Sequence, residues 1–243
     1  MLSIFSRKPQ LVTNLEWLGT DIHSHLLPGI DDGSPDVATS ISLINGLSAL
    51  GLTKFICTPH IFKELYPNNS TTVGNALALL KEGLSKVNAN VEISAGAEYM
   101  IDGDFEENND LLCLADKYLL IEMSYLNEAP NIEQVIFNLQ IRGYIIVLAH
   151  PERYNFYHKE RSRYQRLKDM GCLFQLNLLS LTGYYGKEVK LVTDYLLEKK
   201  MYDLAGTDLH HQKHLGALTK AVQSGLLYQA ISKYSFQNKE LFG

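Results

Sequence analysis

Short apolar runs and longer amphipathic stretches alternate along the chain. Runs suited to buried parallel strands occur at "GTDIH" (19–23), "KFICTPH" (54–60), "VEISAGAEY" (91–99), "KYLLIEM" (117–123), "YIIVLAH" (144–150), "LFQLNLL" (173–179) and "YDLAGTDLH" (202–210). Helical patterns lie between most of them. The clearest runs from Pro130 to Gly143, with Ile132, Val135, Ile136 and Leu139 on one face, proline in the first turn and glycine at the end. Ser34 and Pro35 read as the N-cap and first-turn proline of a helix that stops before Gly51. Further helical patterns occupy about 72–88, 160–170 and 187–200, and the region beyond 212. The link "DGDFEENNDLLCLA" (102–115) supports only a short or irregular helix.

Repeated strand–helix units predict a parallel sheet with helices outside it. Periodicity alone does not choose between a closed barrel and an open doubly wound sheet. A length of 243 residues allows one large domain or two small ones, and barrels of this length are routinely single. The division expected is an N-terminal extension over 1–18 and one folded unit over 19–243.

Composition narrows the function classes. With 46% hydrophobic and 20% charged residues, the chain has material for a large core. A net charge of −5 argues against nucleic acid as the main partner. No run approaches the ~18 apolar residues of a membrane span, and "MLSIFSRKPQL" lacks the apolar core of a signal peptide. The three cysteines, Cys57, Cys113 and Cys172, are an odd number in apolar surroundings, which fits reduced thiols in a cytoplasmic protein. None opens a Cys-x5-Arg loop, so a cysteine nucleophile is not expected. Neither G-x-G-x-x-G nor a P-loop sequence is present.

The polar residues carry the chemistry. A lone His23-x-His25 is more often a packed or hydrogen-bonded strand end than a metal clamp. Here, however, the pattern recurs. His60 ends the second predicted strand, Glu98 the third, Glu122 the fourth and His150 the fifth, and Asp208 and His210 end the last. Six of the seven strands therefore place a metal-capable side chain at the carboxyl end, where parallel barrels build their sites. With Asp32 there are nine candidate ligands, more than one ion needs. Two or three divalent ions sharing a bridging carboxylate is the economical reading. Imidazole and carboxylate without thiolate suit manganese, iron or zinc more than calcium or a cysteine-type zinc knot. His158, His211 and His214 fall outside the pattern and are expected at the surface.

With these residues assembled, the chain resembles the polymerase and histidinol phosphatase (PHP) superfamily. It is most similar to the bacterial protein-tyrosine phosphatases of capsule and exopolysaccharide synthesis. The motifs are "DIHSHLLPGIDDG", "CTPH", "AEY", "LIEM", "AHPERY" and "GTDLHH", spread over residues 21–211. The resemblance implies a single-domain α/β fold, a distorted (β/α)7 TIM-like barrel. It implies one ion on His23, His25, Glu98 and Asp208, and a second on Glu98, Glu122 and His150. A third would sit on Asp32, His60 and His210, with Asp31 the alternative to Asp32. Arg153 matches the family arginine that grips phosphate, with Asp208 and His210 as its catalytic neighbours. Many relatives carry a second arginine after the last Asp-x-His. This chain reads "DLHHQKHL", which leaves Lys213 as the substitute to test.

The activity so implied is metal-dependent hydrolysis of phosphotyrosine without a covalent intermediate. The implied partner is the tyrosine-rich tail of a bacterial tyrosine autokinase. A cytoplasmic location, peripheral at the inner membrane through that partner, is part of the expectation, and a homo-oligomer is compatible with it. Phe62, Tyr66, Tyr99, Tyr154, Tyr184 and Tyr185 are candidate walls for the tyrosyl ring. The alternatives are a small-molecule phosphomonoesterase of the histidinol-phosphatase type and an inactive metal-binding regulatory barrel. An amidohydrolase is disfavoured because Glu122 stands where a bridging lysine is usual.

Overall fold

The computed structural model describes residues 11–105 and 111–243. Nine strands follow one another: β1 (Thr20–Asp21), β2 (Lys54–Cys57), β3 (His60–Ile61), β4 (Glu92–Ala95), β5 (Glu98–Met100), β6 (Tyr118–Glu122), β7 (Ile145–Ala149), β8 (Leu173–Asn177) and β9 (Leu204–Gly206). Every pairing is parallel. They form a three-stranded sheet, β1-β2-β4, and a six-stranded sheet, β3-β5-β6-β7-β8-β9.

Nine strands arise from seven predicted runs because two runs are broken. "KFICTPH" divides into β2 and β3 at Thr58-Pro59, where proline has no N–H to offer a ladder. "VEISAGAEY" divides into β4 and β5 at Gly96-Ala97. Each half pairs with its counterpart, so the two runs pass together from the small sheet to the large one. The ring closes where Ser24 bridges Leu209 in parallel. The result is a seven-spoked, distorted (β/α)7 barrel, as the resemblance implied, and the open sheet is excluded.

Eight helices are described: α1 (Val37–Ala49), α2 (Ser70–Lys86), α3 (Ile132–Ile141), α4 (Ser162–Asp169), α5 (Lys187–Glu198), α6 (Gln212–Gln223), α7 (Leu226–Ile231) and α8 (Asn238–Phe242). α1 begins two residues later than the sequence reading places it. Asp36, not Ser34, is its N-cap and accepts from Thr39 N. Ser34 is buried instead and its hydroxyl is shared with Ser40. Among the described residues the β5–β6 link carries no helix, and 106–110 lie outside them. The core is continuous through the barrel wall and the inner faces of the helices, from Phe55 and Leu80 to Phe174 and Leu218. Of the N-terminal extension, residues 1–10 lie outside the described residues, while Leu15 and Leu18 are buried in that core.

The seam between β1 and β9 is closed at both ends. On the side of the strand carboxyl ends, Asp21 accepts from Thr207 N (2.9 Å) and Thr207 Oγ1 (2.6 Å), and Asp208 N donates to His23 O (2.8 Å). Below that, α8 inserts Asn238. Its Oδ1 accepts from Ala205 N (3.0 Å), and its Nδ2 donates to Ala205 O (2.7 Å) and Thr20 O (3.0 Å). One buried amide thus supplies the bonds the missing ladder would have made.

The variant Asn238→Ala strands three buried backbone groups at about 1–3 kcal/mol each. Its urea midpoint is expected to fall by the equivalent of roughly 3 kcal/mol or more. A loss below about 1 kcal/mol would mean that the seam closes without the asparagine.

Candidate metal and phosphate site

All nine candidate ligands converge on one place, most from strand carboxyl ends and the loops after them. His60 and Glu98 are instead the first residues of β3 and β5, because the runs that carry them are broken just before. Glu98 sits at the centre, fully buried. Its Oε2 lies 3.2 Å from His23 Nε2, 3.4 Å from His25 Nε2 and 3.2 Å from His60 Nδ1, and its Oε1 lies 3.0 Å from His150 Nε2. Asp208 Oδ1 is 3.5 Å from His23 Nε2 and 3.4 Å from His25 Nε2. Glu122 reaches His60 Nδ1 at 2.9 Å and His150 Nε2 at 3.9 Å. At the outer edge Asp32 Oδ1, half exposed, lies 3.5 Å from His60 Nε2 and 3.6 Å from His210 Nε2.

Donor atoms approach within 4.8 Å of one another in four sets. These are His23, His25 and Asp208; His23, Glu98 and His150; His60, Glu98 and Glu122; and His25, Asp32, His60 and His210. The membership overlaps the three sets implied by resemblance but is not identical, because His23, His25, His60 and Glu98 each border two of them. Glu98 Oε2, Glu122 Oε1 and His150 Nδ1 are buried without a hydrogen-bond partner. Orphaned carboxylate oxygens beside imidazole nitrogens are what a cation-binding centre leaves when described without its ions. The residues fit divalent metal.

Backbone and neighbours aim these side chains. Gln175 Oε1 accepts from His23 Nδ1 (2.8 Å), Asp31 Oδ2 from His25 Nδ1 (2.8 Å), and Asp208 O from His210 Nδ1 (3.0 Å). Each bond puts the proton on Nδ1 and leaves the Nε2 lone pair facing the cluster. Asp31 also accepts from Gly33 N and His60 N, so it shapes the loop and orients His25 together. A Cβ on Gly33 would meet His25 O at 2.2 Å, and one on Gly206 would meet His23 Cβ at 2.8 Å. Glycine is needed at both places for close approach. His150 (φ 31°) and Asp208 (φ 49°) hold left-handed backbone, a strain that collects at functional sites.

Electrostatics follow from the crowding. Burial raises the Glu98 and Asp208 carboxyls, but His23 and its neighbours overcome this and hold both well below the usual range. Burial lowers His60, yet Glu122 and Glu98 more than offset it and raise the ring to about 9. His210, buried beside His25, is held down to about 3. The cysteines take no part. Cys57 and Cys172 are buried, and burial pushes both thiols up to about 12.

Above the cluster lies a cavity of about 370 Å³. Asp32, His60, Glu122 and His210 line its floor, and Phe62, Tyr66, Tyr125 and Tyr185 contribute aromatic walls. Of the aromatics expected there, Tyr99 and Tyr154 are buried in packing, their hydroxyls bonded to Leu112 N and Ala149 O respectively. Tyr184 is not among the lining residues. Five lining residues escaped the sequence reading: Leu65, Met100 and Tyr125, which carry no site pattern, and His211 and His214 at the start of α6. His214 is buried, not a surface residue. Arg153 reaches the cavity from the 3-10 turn Pro151–Arg153 and donates to Asp208 Oδ2 at 2.8 Å. Lys213 is exposed and does not line the cavity.

Known proteins resemble this chain in sequence and in fold. Residues 19–225 match a family model described as capsular polysaccharide synthesis, CpsB/CapC. The tyrosine-protein phosphatase YwqE of Bacillus subtilis is 34% identical over 197 residues, covering 79% of this chain and 78% of the relative. The tyrosine-protein phosphatase CpsB of Streptococcus pneumoniae is 28% identical over 200 residues, 79% of this chain and 82% of that one. A chain from the crystal structures of YwqE and CpsB, described there as unique metal-dependent tyrosine phosphatases, superposes with a TM-score of 0.76 at 30% identity. That match covers 89% of this chain and 96% of the other.

The variant Asp31→Ala removes the acceptor that fixes His25. Manganese affinity is expected to fall roughly ten- to a hundredfold in a competition titration. Unchanged affinity would reduce Asp31 to a loop residue.

Proposed function

Because this chain belongs to the CpsB/CapC family of capsular polysaccharide synthesis, we propose that it is a metal-dependent protein-tyrosine phosphatase. The observation that carries the reading is the gathering of eight imidazole and carboxylate residues around a buried ninth, Glu98, beneath a cavity that holds Arg153 and aromatic walls. Its metals are two or three divalent ions, manganese by preference, on His23, His25, Asp32, His60, Glu98, Glu122, His150, Asp208 and His210. Bound there, such ions acidify water to a pKa of ~7 and neutralise phosphoryl charge.

The chain's own residues do the rest. Arg153 presents a planar fork of N–H donors, which suits two phosphoryl oxygens at once. Asp208 and Asn177 hold that fork in place, Asn177 Nδ2 donating to Asp208 Oδ2 at 2.7 Å. The aromatic walls take the tyrosyl ring and shield the reacting phosphorus from bulk water. Attack by water forms one P–O bond as the bond to the phenolic oxygen breaks. A phenol with a reference pKa of ~10 departs without a strong general acid. The products are tyrosine and inorganic phosphate.

The substrate proposed is the phosphorylated, tyrosine-rich tail of a bacterial tyrosine autokinase that governs capsule or exopolysaccharide synthesis. The location that goes with it is the cytoplasm, at the inner membrane through that partner. No helix among the described residues is long and apolar enough to cross a membrane.

Metal-loaded protein is expected to release phosphate from a phosphotyrosyl peptide, and to stop when chelator strips the metal. Both His60→Ala and Asp208→Ala should lose at least about a hundredfold in kcat/KM. Activity that persists without metal, or in both variants, would sink the proposal. Replacing the fork by a point charge in Arg153→Lys is expected to raise KM roughly tenfold, with a smaller change in kcat, by steady-state kinetics. An unchanged KM would remove Arg153 from phosphate binding.

A further inference from the structure

Arg153 is the one permanent cation among the described residues that line the cavity. A single guanidinium on a flexible stem is a poor anchor unless something else fixes its plane. The structure supplies that constraint. The Arg153 guanidinium carbon lies 4.3 Å from the Tyr125 ring centroid and 4.2 Å from that of Tyr185. Only 16% of its side chain stays exposed. Both rings are themselves tethered. Asn177 Nδ2, which also donates to Asp208 Oδ2, lies 3.1 Å from the Tyr185 hydroxyl. The backbone of Tyr125 accepts from Asn155 N at 3.1 Å, tying its loop to the segment that carries Arg153. Tyr125 and Tyr185 come from the loops after β6 and β8, so the fork is aligned by two separate spokes of the barrel.

We propose that Tyr125 and Tyr185 are positioning residues that form a two-ring aromatic clamp on Arg153 and hold its guanidinium ready for a phosphoryl oxyanion. The rings hold the guanidinium by cation–π attraction. They leave its N–H edge to Asp208 and to an incoming phosphoryl group. Preorganising one fork saves the ordering cost that a free arginine would incur on binding. The inference rests on the phosphatase reading for the identity of the oxyanion ligand, but not for the clamp itself.

The experiment uses the metal-loaded full chain and inorganic phosphate as the probe. Phosphate affinity is read in two ways, as inhibition of phosphotyrosyl-peptide hydrolysis and as the phosphate-dependent rise in melting temperature. Tyr125→Leu and Tyr185→Leu are each expected to weaken phosphate roughly five- to thirtyfold and to raise KM in proportion, with kcat less affected. Tyr125→Phe and Tyr185→Phe keep the ring and should recover most of the phosphate affinity that leucine loses, Tyr185→Phe less completely because it gives up the bond from Asn177. Melting temperatures without phosphate separate a misfolded variant from a misaligned arginine. Leucine variants that bind phosphate like the parent would overturn the clamp, as would phenylalanine variants no better than leucine. Should the parent show the phosphate shift but release nothing from the peptide, the phosphatase reading fails. The clamp is then judged on the shift series alone.

Discussion

A carboxylate with no access to water, pressed by four imidazoles, is the constraint around which this molecule is arranged. Glu98 has His23, His25, His60 and His150 within 3.4 Å. Burying that charge is costly unless it is matched at close range. The matching groups come from strands far apart in sequence, so the charge can be satisfied only when the ring of strands has closed. Stability and chemistry therefore depend on the same contacts. Removing any one imidazole disturbs both.

The supports around Glu98 show how rigid the arrangement has to be. Gln175 and Asp31 fix two imidazoles through their Nδ1 atoms. Gly33 and Gly206 exist as glycines because His25 and His23 occupy the space a side chain would need. Left-handed backbone at His150 and Asp208 turns two donors inward where a relaxed strand would carry them past the centre. None of these residues has to touch a substrate, yet each decides where a donor atom sits.

Much of this was legible in the sequence, and what was not has physical reasons. The donors were visible because they recur at one end of successive apolar runs, a periodic signal that needs no fold knowledge. Closure of the barrel was not visible, since Ser24 and Leu209 meet through backbone alone. The break in the second run could have been read from Pro59, which cannot donate to a ladder. The break at Gly96 is weaker, because glycine inside a strand often stays in it. Tyr125 was missed for lack of any period around it. His214 was assigned to the surface because a helix start gives no hint of which side faces the cavity. Asn238 lies beyond the last strand, and nothing local marks it as the closure of the first.

Asn238 also sets a temporal order on the molecule. Its partners are Thr20 and Ala205, separated from it by 218 and 33 residues. A growing polypeptide carries every imidazole and carboxylate of the centre before this amide has been synthesised. Until then the seam lacks the three bonds this amide makes, while Ser24–Leu209 and Asp21–Thr207 already join its upper end. The lower bonds of the seam therefore depend on a residue that follows every donor of the centre along the chain.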